Sequence, residues 1–292
     1  AQPRERLELV ETTEVITNDE APMLAVRKKP GSSMVSAILS VKEGRAQAMV
    51  SAGSTGALLA SGMVRLGRIK GVERPALATV IPSRKRPFLL IDSGANVDCL
   101  PKYLVQFGMM GSVYMHRILG VDEPRVGLVN IGAEAEKGNQ LTKETFKLMQ
   151  AQAQFRFEGN VEARDIPSGD IDVVVADGFA GNLILKYTEG LAQALVGMLK
   201  DEIQSSRKSM LGAAMMKDAF QSFKARMDYE EQGGAPLLGV NGAVVKAHGS
   251  STARAFKNAI GQAYRMVKTG MVAEIEKGIA EIAQAEKKEE NA

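Results

Sequence analysis

The chain has 292 residues, with 37 Lys and Arg against 34 Asp and Glu, so its formal net charge of +3 lacks the excess of a protein that coats a polyanion, and nucleic acid is not an expected partner. Hydrophobic residues make up 45% and charged residues 24%, the balance of a chain that folds around a sizeable core. The single cysteine, Cys99, excludes an internal disulfide, a CxxC redox pair and a Cys-rich zinc site, and no run approaches the ~18 apolar residues of a membrane span; a reducing cytoplasm fits best.

In chain order, residues 46–50 form a short apolar run followed by Gly53, Ser54, Thr55 and Gly56. A strand, a Gly-rich turn and a helix N-terminus in succession make an anion seat, because backbone N–H groups converge there; a tight turn with a serine cap reads the same way. The spacing matches neither GxxxxGK[ST] nor GxGxxG. Further apolar runs at 88–91, 126–129 and 173–175 each end in a polar Gly-bearing loop: 92–99, containing Asp92, Asn96 and Cys99; 130–139, containing Asn130 and Lys137; and 177–182, containing Asp177 and Asn182. These runs predict buried parallel strands, and the amphipathic stretches 100–119 and 137–154 are long enough for crossover helices. The expected fold is one α/β unit over 1–292, doubly wound on a mainly parallel sheet, with all four loops on the same sheet edge, where open α/β sheets bind ligands.

Within those loops Lys137 is a cation at the mouth of a helix, able to meet a phosphate or to pair with Glu134, and Asn96 and Asn182 are neutral donors or turn formers. Cys99 has no evident thiolate-stabilising neighbour and reads as a structural thiol. His116 lies inside a helical pattern, whereas His248 precedes a helix in a Gly/Ser turn where an imidazole can reach a ligand; with no HExxH pair, no metal site is expected. Residues 199–228 read as an amphipathic helical projection with Met216, Phe220, Phe223 and Met227 on one side. From 207 to 226, Arg207, Lys208, Lys217, Lys224 and Arg226 face the single acid Asp218, a local excess of four positive charges. Such a face suits a core, a subunit partner or an anionic lipid surface. Residues 252–288 are helical by composition.

The segments Ser-Ala-Gly-Ser-Thr-Gly-Ala-Leu at 51–58, Asp-Ser-Gly-Ala-Asn-Val-Asp at 92–98, Glu-Lys-Gly-Asn-Gln-Leu-Thr-Lys at 136–143, Asp-Gly-Phe-Ala-Gly-Asn at 177–182 and Val-Lys-Ala-His-Gly-Ser-Ser at 245–251 resemble, in order, the phosphate acyltransferases of bacterial phospholipid synthesis, the PlsX family. The likeness runs from about 15 to about 268. It implies a fold akin to phosphotransacetylases and isopropylmalate dehydrogenases, and transfer of a long acyl chain from acyl carrier protein to inorganic phosphate without metal or cofactor. It also implies a homodimer, an acyl phosphate product passed to a membrane glycerol-phosphate acyltransferase, and a cytoplasmic protein held peripherally on an anionic membrane, with Met216, Phe220 and Phe223 as the contact.

By that resemblance Lys137, Asn182 and His248 are the expected catalytic residues, and Gly53, Ser54, Thr55, Asn96, Asn130 and Asp177 the expected phosphate and substrate seat. Phosphate is the expected nucleophile, so the protein need only position it and stabilise the oxyanion. Two departures stand out. The family loop has Asn where this chain has Ser54, and the given sequence begins after the family's first strand and its Asp-Ala-Met-Gly-Gly-Asp turn; either an N-terminal segment precedes it or the protein is a truncated form, and in the second case impaired stability and activity are expected. The rival expectations are a short-chain phosphotransacylase using acyl-CoA and a non-catalytic membrane-associated scaffold.

Overall fold

The alternation of apolar runs and amphipathic stretches builds one eight-stranded sheet covered on both faces, in a computed structural model that describes residues 6–227 and 233–290. The strands are β1 (Ala48–Ser51), β2 (Ala76–Ile81), β3 (Phe88–Ile91), β4 (Arg125–Asn130), β5 (Arg156–Glu162), β6 (Val173–Val175), β7 (Ala235–Leu238) and β8 (Ala243–Lys246), in the order β1-β8-β7-β2-β3-β6-β4-β5. Before and after β1 come α1 (Pro22–Lys28), α2 (Ser33–Lys42) and α3 (Thr55–Ser61), the last continued by a π-helical turn to Leu66. The others are α4 (Pro101–Leu119), α5 (Gln140–Gln150), α6 (Gly178–Gln204), α7 (Arg207–Met215), α8 (Lys217–Met227), α9 (Ala253–Lys268) and α10 (Met271–Glu290).

Strand alternation decides which residues meet which layer. Leu89, Ile91, Val173 and Val175 turn to the face covered by α4 and α10, while Phe88, Leu90 and Val174 turn to the other, where Ile184 and Leu185 of α6 pack. Helix α4 lies directly on β6: Gly111 leaves no room for a Cβ against Val173, and residues 104–115 are buried. Tyr114 of α4 is fully buried and accepts a 2.5 Å hydrogen bond from the Gln262 side-chain amide, which ties α4 to α9. At the start of β6, the buried Asp172 carboxylate is held by Arg86 at 2.7 Å and Arg125 at 3.1 Å. Removing both cations would leave an uncompensated buried charge; removing one leaves the other to hold it.

β3, β6, β4 and β5 are mutually parallel, and β1 is parallel to β8. Between the two sets lie the antiparallel ladders β8/β7, β7/β2 and β2/β3. That is an odd number of reversals, so β1 and β8 run against β3, β6 and β4. The expectation of four loops on one sheet edge therefore holds for the loops after β3, β4 and β6 and not for the loop after β1, which ends beside the loop after β8.

The helical expectations also sharpen. Residues 252–288 are two helices broken at Gly270, which takes φ 65°. The stretch 199–227 is the end of α6 followed by α7 and α8, with Met216 at the junction instead of on one continuous helix face. Met216 and Phe223 are exposed and Phe220 is half-buried; the side chain of Met227 and residue 228 lie outside the described residues.

Candidate active site

The ends of β3, β6 and β4 bring together the three loops that precede α4, α6 and α5. A recess of about 280 Å³ opens there, lined by Val97, Asp98, Cys99, Asn139, Leu141, Asp177 and Phe179. Asn139 caps α5 by accepting from Thr142 N at 3.0 Å, and Asp177 caps α6 by accepting from Ala180 N at 2.8 Å. Pro101 opens α4, where its missing N–H costs nothing. Three helix N-termini thus converge on one recess, where their dipoles favour an anion and the Asp98 and Asp177 carboxylates in the lining oppose one.

Lys137 is the cation of this region. Its backbone N–H donates to the Glu134 carbonyl at 3.1 Å, and among the described residues its ammonium is in no ion pair, so the expected alternative of a Lys137–Glu134 bridge is not formed. The loop that carries it is held from both sides: Asn130 Nδ2 donates to the Lys137 carbonyl at 3.0 Å, and Asn160 Nδ2 donates to the Glu134 carbonyl at 2.8 Å. Asn130 Oδ1 also accepts from Ile131 N at 2.9 Å. Asn130 is therefore buried and occupied in shaping the loop.

Asn96 is likewise occupied. Its Nδ2 donates to the Pro75 carbonyl and to Asp92 Oδ2, both at 2.9 Å, so the amide hydrogens proposed from sequence as oxyanion donors serve the loop itself. Asn182 differs: it sits exposed on the second turn of α6, beside Gly94. Asp177 brings a carboxylate whose first duty is the helix cap.

The sequence signal missed Asp92 as a site residue, although an Asp at a strand end followed by Ser-Gly-Ala-Asn is a turn signature. Asp92 is fully buried. Burial pushes its carboxyl above the usual range, against the pull of the N–H groups it accepts from. The Cys99 thiol is pushed up to about 12 by burial and by the carboxylates of Asp92, Asp177 and Asp98. It stays a thiol.

The second group lies at the ends of β1 and β8, joined by Ala247 N donating to the Ser51 carbonyl at 2.9 Å. Ser54 Oγ caps the short α3, accepting from Ala57 N at 3.4 Å, Gly53 N donates to Ser51 Oγ at 3.2 Å, and Thr55 opens the helix. His248 Nδ1 accepts from Ser250 N at 3.2 Å and lies 2.7 Å from Ser250 Oγ, so a neutral ring carries its proton on Nε2. Burial lowers the pKa of Lys246, at the end of β8, and its ammonium donates to the Ala247 carbonyl. His116 is exposed on α4, with Nδ1 3.1 Å from the Val121 carbonyl.

The layered, mainly parallel sheet with its recess at the strand ends defines an α/β fold of the phosphotransacetylase type. The phosphotransacetylase EutD of Staphylococcus aureus superposes with a TM-score of 0.51 at 17% identity, over 81% of this chain and 66% of that one. A branched-chain phosphotransacylase of Enterococcus faecalis also gives 0.51, at 17% identity, over 80% of this chain and 78% of that one. The family model described as "Fatty acid synthesis protein" matches residues 1–274. A protein of Clostridium botulinum (strain Loch Maree / Type A3) named phosphate acyltransferase is 52% identical over 279 residues, 96% of this chain and 83% of that relative. One of Clostridium acetobutylicum with the same name is 50% identical over 278 residues, 95% of this chain and 84% of that relative. The chain belongs to this family, the phosphate acyltransferases.

Proposed function

We propose that the protein transfers a long-chain fatty acyl group from acyl carrier protein to inorganic phosphate, for phospholipid synthesis. The observation that carries the reading is the convergence of three helix N-termini on one recess, with Lys137 on the β4–α5 loop that borders it, in a chain of the phosphate acyltransferase family. A phosphate oxygen attacks the thioester carbonyl, the C–S bond breaks, and the carrier leaves as a thiolate that takes up a proton. The products are acyl phosphate and the free carrier thiol.

In this reading Lys137 offsets the charge of phosphate and of the transition state, and Asn182 donates to phosphate or the oxyanion. His248, Gly53, Ser54 and Thr55, expected beside the reacting centre, stand at the β1/β8 ends on the opposite sheet edge, so within one chain they do not reach this recess and the departing thiolate takes its proton from solvent. Asn96, Asn130 and Asp177 shape the loops that hold the phosphate side.

The assembly is a homodimer. Helix α6 supports this with an exposed apolar stripe, Leu183, Tyr187, Leu191, Leu195 and Leu199, at four-residue spacing. No described helix is long and apolar enough to cross a membrane. The α7–α8 segment, basic and carrying exposed Met216 and Phe223, rests peripherally on the anionic cytoplasmic leaflet, where the membrane glycerol-phosphate acyltransferase takes up the labile product.

The test supplies the protein with phosphate and either a long-chain acyl carrier thioester or a short-chain acyl-CoA, and traps acyl phosphate with hydroxylamine. Hydroxamate from the carrier thioester, dependent on phosphate, is the expected result. Product from acyl-CoA alone would make it a short-chain phosphotransacylase, and no product from either donor would leave a scaffold.

A further inference from the structure

The Asp92 carboxylate faces no solvent and is in no ion pair among the described residues. Its Oδ1 accepts from Leu77 N and Gly94 N at 3.1 Å and from Ala95 N at 2.9 Å. Its Oδ2 accepts from Ala95 N at 3.1 Å, from Asn96 N at 2.6 Å and from Asn96 Nδ2 at 2.9 Å. With both oxygens filled from inside, it cannot touch a substrate.

What it holds does face the site. The Asn96 carbonyl accepts from Gly178 N at 2.7 Å, so the turn that Asp92 folds caps the start of α6. Gly178 and Gly181 lie so close to the backbone of this loop, at Asn96 and at the Asp92 carbonyl, that neither has space for a Cβ. Gly94, at φ 132°, stands against the Asn182 side chain, 3.4 Å from where its own Cβ would be. The exposed Asn182 therefore takes its place from the 92–96 loop.

We propose that Asp92 is a positioning residue of the anion site: its carboxylate sets the 94–96 turn, and that turn sets the first turns of α6 and the Asn182 amide they carry. A carboxylate is needed because every neighbour is an N–H donor, and an amide in its place would offer one acceptor oxygen and turn its own NH₂ against those donors. The identity of the anion as phosphate rests on the function proposed above. The positioning itself does not.

The experiment is a double-mutant cycle on Asp92→Asn and Asn182→Ala, with folding checked by thermal unfolding, phosphate affinity read by calorimetry, and KM and kcat read in the acyl-transfer assay. Each single variant is expected to weaken phosphate about tenfold while the KM for the acyl donor stays within about twofold, and the double variant to be no worse than Asn182→Ala alone, because the two act through one contact. A double variant weakened by the product of the two, about a hundredfold, would mean that Asp92 does not act through Asn182 and would overturn the proposal. So would a folded Asp92→Asn with unchanged phosphate affinity.

If Asp92→Asn does not fold, Asn96→Ala removes one donor to Oδ2 and leaves the backbone bonds; it should then weaken phosphate by about threefold and be non-additive with Asn182→Ala, and additivity would again overturn the assignment. Coupled phosphate binding in a protein that transfers no acyl group would defeat the proposed reaction and leave the positioning role standing. Active transfer without coupling would do the reverse.

Discussion

Along α6, the first turns and the distal turns meet different surroundings. Gly178 and Gly181 are buried against the 92–96 loop with no space for a side chain, whereas Gly190 and Gly197 have nothing within 4 Å of where a Cβ would stand. The N-terminal stretch is held by tertiary contacts to backbone atoms of another loop. The distal stretch carries an exposed apolar stripe, with Tyr187 71% exposed, and finds no cover among the described residues. One helix thus serves as a wall of the recess at one end and as an unfinished surface at the other. The lesson is that a small residue in a helix has no fixed meaning: at Gly181 it is a packing requirement and at Gly190 it only loses helix propensity, ~1 kcal/mol relative to Ala.

The contrast breaks most sharply at Gly181. Gly181→Ala must lift α6 from the Asp92 carbonyl, with only backbone to give way, so urea unfolding should show a loss of about 1–3 kcal/mol and the transfer activity should largely disappear. Wild-type stability with full turnover would show that the close approach is not needed. Next in size, Lys137→Ala should lower phosphate-dependent acyl transfer at least about tenfold, one transition-state contact of ~1.4 kcal/mol, without changing the melting temperature. Unchanged turnover in a folded variant would take Lys137 out of the mechanism.

On the distal side, Leu191→Glu with Leu195→Glu should convert a dimer to monomers in sedimentation, whereas Phe220→Glu with Phe223→Glu should reduce co-sedimentation with anionic liposomes and leave the dimer intact. The second variant failing in the manner of the first would make α8 part of the subunit seam and remove its membrane role. The smallest effect belongs to Cys99. With its thiol at about 12, above the usual value, the reactive thiolate accumulates only as pH rises toward that figure, and at pH 8 it is roughly one part in ten thousand. Cys99→Ala should keep most of the turnover, and alkylation of Cys99 at pH 8 should be slow by mass spectrometry; inactivation of a folded Cys99→Ala would bring back a covalent route.

Much of this architecture is legible along the chain because its signals are local. The apolar runs at 88–91, 126–129 and 173–175 appear as β3, β4 and β6, since a buried parallel strand needs unbroken apolar sequence on both faces. Asp177, expected in the phosphate seat, and Asn139 are helix caps, because their short side chains reach the next turn's N–H groups. The loops after β3, β4 and β6 share the edge on which the sequence places them, the loop after β1 does not, and Lys137 and Asn182 come to the same end of adjacent strands, β4 and β6.

Local signals are silent where the outcome depends on partners far along the chain. The sense of β1 and β8 relative to β3 is decided by how many antiparallel ladders lie between them, and those join residues as distant as Leu77 and Leu237. The amide of Asn96 reads as a free donor in sequence and is committed once Pro75 and Asp92 are brought beside it. Asp92 reads as one more turn residue, because its burial is created by the helix that packs over it. Composition and periodicity determined the class of layers, the positions of β1, β3, β4 and β6 and the polar loops at their ends, but not β2, β5, β7 and β8. Tertiary packing alone decided which loops share an edge, which polar groups are already satisfied and which helix face is left bare, because each depends on desolvation and pairing between segments that no local pattern encodes.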